Sequence, residues 1–195
     1  QEALGEGISA QVILSGGLVK GMNKLGDDFS ANRVFVPEML IAAHCMSAAT
    51  ALLKPYMVGE GGQRVSVGSA VIGTVRGDMH DIGKNLVKIM MEGSGIEVYD
   101  LGTDVSAEQF IETAVEHDCG IIACSALLTT TMNEMRRVVS LAEEKGIRDK
   151  VRIFVGGAPI SQSFCDEIGA DVYTEDAGAA ARAAVEILKA CQSSR

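Results

Sequence analysis

After residue 65 the chain shows five short β-rich apolar runs, each followed by a helical stretch, and ahead of them an Ala- and Met-rich third with helical spacing. These two observations predict an α/β protein: a flavodoxin-like (Rossmann-like) five-stranded parallel sheet domain preceded by a helical bundle cap domain. A third agrees with them. Tryptophan is absent and aromatics are only 4% of the 195 residues, while 47% are hydrophobic, so the core rests on aliphatic side chains, Met and Ala. That composition suits helices packed on a parallel sheet.

In order along the chain, "SAQVILSGGLVKGMNKLGDDF" carries Val12, Leu14, Leu18, Val19, Met22 and Leu25 close to helical spacing, interrupted by a Gly pair. A second helix opens at Pro37, which suits a first helical turn, and runs through "VPEMLIAAHCMSAATALL". The stretch from Val58 to Ser66 has three glycines and no periodicity and reads as a linker. This divides the chain into a cap at 1–58, a linker at 59–64 and an α/β domain at 65–195. In that domain the strands are expected in "SVGSAVIGTV", "IEVYDLG", "CGIIACSA", "VRIFVGG" and "ADVYT", with helices between them and a last one in "DAGAAARAAVEILKACQ". Five strands leave no room for a sixth, so the expected order is 2-1-3-4-5 rather than that of a six-stranded dinucleotide fold.

Bulk composition excludes several partners. A formal charge of −9 and a pI of about 4.8 repel nucleic acid and anionic membrane surfaces at long range. Cys45, Cys119, Cys124, Cys165 and Cys191 form no CxxC pair and no zinc spacing, which reads as idle thiols in a reducing cytoplasm. By uninterrupted apolar runs, no segment reaches a membrane span, and "QEALGEGISAQ" has no features of a secretion signal.

With strand order 2-1-3-4-5, ligands bind outside the carboxyl ends of strands 1 and 3. The loops arriving there are "GTVRGDMHDIG", "CSALLTTTMNEM" and "VGGAPIS". A phospho-acceptor receiver needs an Asp after strand 3, where Ser125 stands. A dinucleotide site needs GxGxxG after strand 1, and a flavin phosphate loop needs hydroxyls and glycines where this chain places acids. What remains is His80, two residues after Asp78. A metal-bound imidazole commonly donates its other N–H to a carboxylate, which fixes its tautomer, and Asp78 is the natural acceptor. Asp81, by contrast, reads as a helix N-cap. One His and two Asp do not close a four-ligand metal site; if His80 binds a metal, the metal brings its other ligands.

These residues resemble the cobalamin-binding signature DxHxxG…SxL…GG, here Asp78 to Gly83, Ser125 to Leu127, and Gly156-Gly157. The front of the chain, "GLVKGMNKLGDDF" and "VFVPEMLIAAHCM", is similar to the helical cap of methionine synthase and of corrinoid proteins serving methyltransferases, with the first cap helix clipped. The resemblance implies a corrinoid cofactor, cobalamin, with His80 as the lower cobalt ligand and Asp78 as its hydrogen-bonding partner. It implies that Gly83 lets the first helix start close beneath, that Ser125, Leu127 and Thr129 line the slot for the nucleotide tail, and that Gly156 and Gly157 make room for its base. The hydroxyl completing the His-Asp relay is a serine in methionine synthase and Thr131 here, in "TTTMNEM". Phe35 and Met39 stand as candidates to cap the methyl-bearing face, Met39 on a stripe with Ala43 and Met46 and Phe35 just ahead of it.

The reading that follows is a corrinoid methyl carrier, a subunit of an enzyme system rather than a complete enzyme. Its expected partners are a substrate-specific methyltransferase, a second methyltransferase acting on tetrahydrofolate or a thiol, and a reductive activator of Co(II), with a hinge at Val58 to Ser66. The alternative is a cobalamin-dependent sensor that regulates transcription, which would need a basic DNA-binding segment. Methanol, methylamines, quaternary amines and methoxyaromatics are all open as methyl donors.

Overall fold

A computed structural model describes residues 1–56 and 67–193. The expected linker at 59–64, its hinge and the boundaries on either side of it lie outside the described residues. The α/β domain holds strands β1 (Gly68–Thr74), β2 (Ile96–Asp100), β3 (Ile121–Ser125), β4 (Arg152–Gly156) and β5 (Val172–Tyr173). They form one parallel sheet in the order β2-β1-β3-β4-β5, as the sequence predicts, in register from Ala70↔Ile121 to Thr74↔Ser125 along the central pair.

Side chains alternate across each strand and so build two cores. Val71, Ile122, Cys124, Ile153 and Val155 face a layer made by helices α6 (Ala107–Glu116), α7 (Asn133–Glu144) and α8 (Gln162–Ile168). Ala70, Ile72, Ile121, Ala123 and Phe154 face α5 (Ile82–Gly93) and α9 (Ala177–Ser193). Burial pushes the Cys119 thiol up to about 11, and it raises Cys124 and Cys165 as well. These three are structural thiols.

The amino-terminal segment comprises α1 (Glu2–Gly5), α2 (Ala10–Val12), α3 (Val19–Ser30) and α4 (Val36–Leu53). Between α2 and α3 the Gly16-Gly17 pair sits in a π-helical stretch, Ile13–Leu18, so the chain widens there instead of breaking. Met39, Met46 and Leu53, each one heptad from the next, are the buried stripe of α4. Met46 and Leu53 pack with Ala10 and Leu14. Met39 joins Met22, Met90 and Met91 in the core shared with the sheet domain.

Two expectations change. Taken as a helix rather than as an uninterrupted apolar run, α4 is 18 residues long with a mean hydropathy of 1.4, enough by length and composition to cross a membrane. Its composition is apolar on every side because one face meets α3 and α5 while Val36, Leu40, Ile41 and Leu52 are exposed. Asp81 does occupy the N-cap position of α5, but its side chain makes no capping bond. Its Oδ2 instead accepts from the Asn85 side-chain amide at 3.1 Å, because its ψ of −16° is not the extended N-cap conformation.

Candidate functional site

The loop after β1 turns at Gly77 (φ +80°) and returns with Asp78 fully buried. One carboxylate oxygen, Asp78 Oδ1, lies 2.7 Å from His80 Nδ1 and accepts the His80 backbone N–H at 3.1 Å. The other, Oδ2, accepts the N–H groups of Leu127 at 2.8 Å and Leu128 at 3.1 Å, and Thr131 Oγ1 lies 3.0 Å away. Asp78 thus clamps the β1 loop to the β3 loop. The Thr131 hydroxyl also lies 2.9 Å from the Leu128 carbonyl, so its single proton serves either oxygen.

Burial pushes the Asp78 carboxyl up, but the N–H of Leu127, the imidazole, and the N–H groups of His80 and Leu128 outweigh it and hold the group well below the usual carboxylate range. A lowered folded value means that Asp78 contributes stability above its unfolded value of about 3.9, lost as pH falls through the folded one. Asp78→Asn is expected to cost about 2–3 kcal/mol at neutral pH, since an amide NH₂ turns toward groups that are themselves donors. Urea titrations of the two cofactor-free proteins should show that gap narrowing below about pH 4; a constant gap down to pH 2 would contradict this charge assignment.

With Nδ1 directed at Asp78, the opposite edge of the imidazole is left outward: the His80 side chain is 51% exposed, and Nε2 has no hydrogen-bond partner among the described residues. Met79 and Ile82, which flank His80 in sequence, and Leu127 and Leu128, whose N–H groups bind Asp78, are exposed as well. Four exposed apolar side chains on the two segments that Asp78 joins make a platform suited to a flat, largely apolar face.

Two residues that the sequence did not single out hold this loop. Thr74, fully buried at the end of β1, donates its hydroxyl to the His80 carbonyl at 2.8 Å. Lys84, 2% exposed, reaches Asp100 at 2.6 Å and the Asn85 amide oxygen at 2.7 Å, so the start of α5 is tied to the end of β2. Burial raises the Asp100 carboxyl, and hydrogen bonds from Lys84 and the Gly102 N–H more than offset it. A lysine directly after Gly83 was the only local signal, and its partner lies 16 residues on.

Beside the loop opens a cavity of about 460 Å³, within the range of small-molecule sites. Its walls come from the sheet (Ile72, Ala123, Phe154), from α5 (Leu86, Val87, Met91) and from α9 (Ala177, Ala180), and they are mainly apolar. Of the residues expected at the slot, Ser125, Gly156 and Gly157 line this cavity, and Leu127 and Thr129 do not; Gly83, expected only to let α5 start close by, lines it too. Leu127 stands with Met79 on the platform, and its backbone serves Asp78. Thr129 is exposed in the β3 loop. A Cβ on Gly83 would meet nothing within 4 Å and one on Gly156 only the Thr174 carbonyl at 3.9 Å, so both leave open space.

Gly157, which lines the cavity, also has a backbone reason to be glycine: its φ is +129° and a Cβ would lie 1.8 Å from the Ala126 carbonyl oxygen. One site expectation is corrected. Met39 is fully buried in the core between α4, α3 and α5, because it begins the heptad stripe that attaches α4, and it has no face free to cap a ligand. Phe35, next to the first turn of α4, is 62% exposed.

The described residues contain no cluster of three His, Cys, Asp or Glu able to hold a metal ion. A single outward imidazole nitrogen, an apolar platform and an apolar cavity fit a metal that arrives inside a macrocycle with a tail.

Comparisons with known proteins point the same way. Residues 68–186 match the family model of a B12 binding domain, and residues 1–54 match a second model of the same description. The dimethylamine corrinoid protein of Methanosarcina barkeri is 44% identical over 188 residues, 96% of this chain and 87% of that protein. The trimethylamine corrinoid protein 1 of Methanosarcina acetivorans is 42% identical over 91% of this chain and 82% of that protein. Among solved structures, the methanol:cobalamin methyltransferase complex of Methanosarcina barkeri superposes with a TM-score of 0.84 at 29% identity, over 96% of this chain and 71% of that one.

Proposed function

The chain belongs to the B12-binding corrinoid proteins and its cofactor is cobalamin, and from that premise we propose that it carries a methyl group between two methyltransferases with His80 as the lower cobalt ligand. The observation that carries this reading is the Asp78-clamped imidazole, outward at Nε2, beside an apolar cavity.

Bound cobalamin supplies a cobalt centre that takes up and gives up a methyl group. The rest is the work of this chain. His80 offers Nε2 on the platform formed by Met79, Ile82, Leu127 and Leu128. Asp78 holds the proton on Nδ1 and fixes the ring. Thr131 completes the relay with a hydroxyl whose proton can turn toward Asp78 Oδ2 or toward the Leu128 carbonyl. Ser125, Gly83, Gly156 and the apolar walls accept the nucleotide tail, which keeps its base away from the platform. Phe35, exposed beside α4, is the cap residue suited to shield the opposite face.

Relatives named for dimethylamine and trimethylamine support a methylated amine as donor, delivered by a substrate-specific methyltransferase. A second methyltransferase, acting on a thiol or on tetrahydrofolate, takes the methyl group onward, a reductive activator would return oxidised Co(II) to the methyl-accepting Co(I) state, and the system works in the cytoplasm.

The test is reconstitution with hydroxocobalamin, reduction, and incubation with dimethylamine-, trimethylamine- or methanol-specific methyltransferases and a thiol methyltransferase. Methylated thiol should form with an amine enzyme. Formation only with the methanol enzyme would redirect the donor, and none with any partner would remove the carrier reading.

A further inference from the structure

We propose that Phe29 of α3 is a specificity-determining residue: it completes the tail cavity from the cap side, so that the chain prefers a corrinoid carrying a full aromatic nucleotide tail to one without it. This rests on reading the cavity as the tail slot.

Among the described residues, every wall of the cavity belongs to the α/β domain except one lining residue, Phe29, which comes from the amino-terminal segment. Its position follows from how closely α3 lies on the sheet domain. A Cβ on Gly26 would come 2.6 Å from Met90 Cε of α5 and 4.0 Å from the Gly178 Cα of α9. One on Gly93 of α5 would come 2.7 Å from Met22 Cγ of α3. Two missing side chains therefore let α3 settle into the groove between α5 and α9. Asp27 pairs with Arg182 at 3.0 Å on the rim, adding orientation more than energy at such exposure.

Phe29 follows at the end of that seated turn, where it packs against the core shared by the two segments while also bordering the cavity. Among the described residues, α9 contributes Ala177 and Ala180 to the same cavity, and β4 contributes Phe154 beside Val155 and Gly156. Small residues on one side and two phenyl rings on others leave depth for a flat aromatic group, which a phenyl ring meets edge-on or offset. One residue belongs both to the seating of α3 and to the lining of the cavity, so a group that packs on Phe29 there would also hold α3 in place, and that coupling is reciprocal.

The experiment compares hydroxocobalamin with cobinamide, which has the same corrin ring and cobalt but no nucleotide tail. Dissociation constants and amide hydrogen exchange in α3 are measured for the wild-type chain, Phe29→Leu and Phe29→Ala, with thermal unfolding to establish that each variant is folded. The wild-type chain should prefer cobalamin, and cobalamin alone should slow exchange in α3. In Phe29→Ala the preference should fall about tenfold and the extra protection disappear, with Phe29→Leu between. A wild-type preference that Phe29→Ala leaves unchanged overturns the role of Phe29 and leaves the tail slot standing. Equal binding of the two corrinoids by the wild-type chain overturns the tail slot itself.

Discussion

His80→Ala is expected to lose protein ligation of cobalt while keeping the fold. Removing an outer partner of a metal-bound imidazole costs about 10–100-fold in affinity, so removing the imidazole should weaken retention of the corrinoid by about 100-fold or more. The absorption spectrum should change from that of a histidine-ligated corrinoid to that of the free cofactor. The fold should persist because the side chain is half exposed and Asp78 keeps its other donors, the N–H groups of residue 80, Leu127 and Leu128 and the Thr131 hydroxyl. Stability within about 0.5 kcal/mol of wild type is the expectation for an exposed substitution. Equilibrium dialysis and urea unfolding on one preparation check both halves. Retained affinity with an unchanged spectrum would remove His80 from the site.

The reverse pattern is expected for Gly157→Ala. A methyl group 1.8 Å from the Ala126 carbonyl oxygen cannot be relieved by a side-chain rotation, because backbone stands on both sides. Ala126 also donates its N–H to the Gly156 carbonyl at 3.1 Å, so the two strand ends cannot part without breaking the ladder. With the added strain of φ +129°, the loss should exceed about 4 kcal/mol, seen as insoluble protein or a large drop in the urea midpoint. Gly156→Ala is the control: its Cβ makes only ordinary contact with the Thr174 carbonyl at 3.9 Å, so the variant should fold. Its methyl would stand in the cavity and weaken cobalamin more than cobinamide. Equal stability of the two variants would show that the approach of the strand ends is not rigid.

Topology was legible because the information is local. Strand runs of period two and helical runs of period near 3.6 can be counted on the sequence, and five parallel strands joined by helices leave few arrangements. The Asp78 and His80 pair was legible for the same reason, two residues on one turn. Thr131 could be placed only through resemblance, since its contact with Asp78 spans 53 residues.

What escaped depends on tertiary contact. Thr74 reads as the end of a strand until its hydroxyl is seen on the His80 carbonyl. Lys84 reads as a solvated helix residue until Asp100 meets it. Met39 looked available because a Met stripe carries no sign of which face is covered, and burial decides that it belongs to the core. At Gly157 the sequence shows a missing side chain but not the Ala126 carbonyl that approaches it. Asp81 shows the same limit at a helix end, where backbone dihedrals decide whether a correct residue type makes its capping bond.

The central claim is that the nitrogen beneath cobalt belongs to His80 and not to the base of the nucleotide tail. It is tested most directly by electron paramagnetic resonance of the Co(II) form, with the chain produced on histidine labelled with the heavy nitrogen isotope and loaded with unlabelled cobalamin. Ligation by His80 requires the nitrogen superhyperfine triplet of each cobalt line to become a doublet, and to be absent or restored to a triplet in His80→Ala. A triplet that labelling leaves unchanged would mean that the cofactor's own base occupies the lower position, and the assignment of His80 would fall.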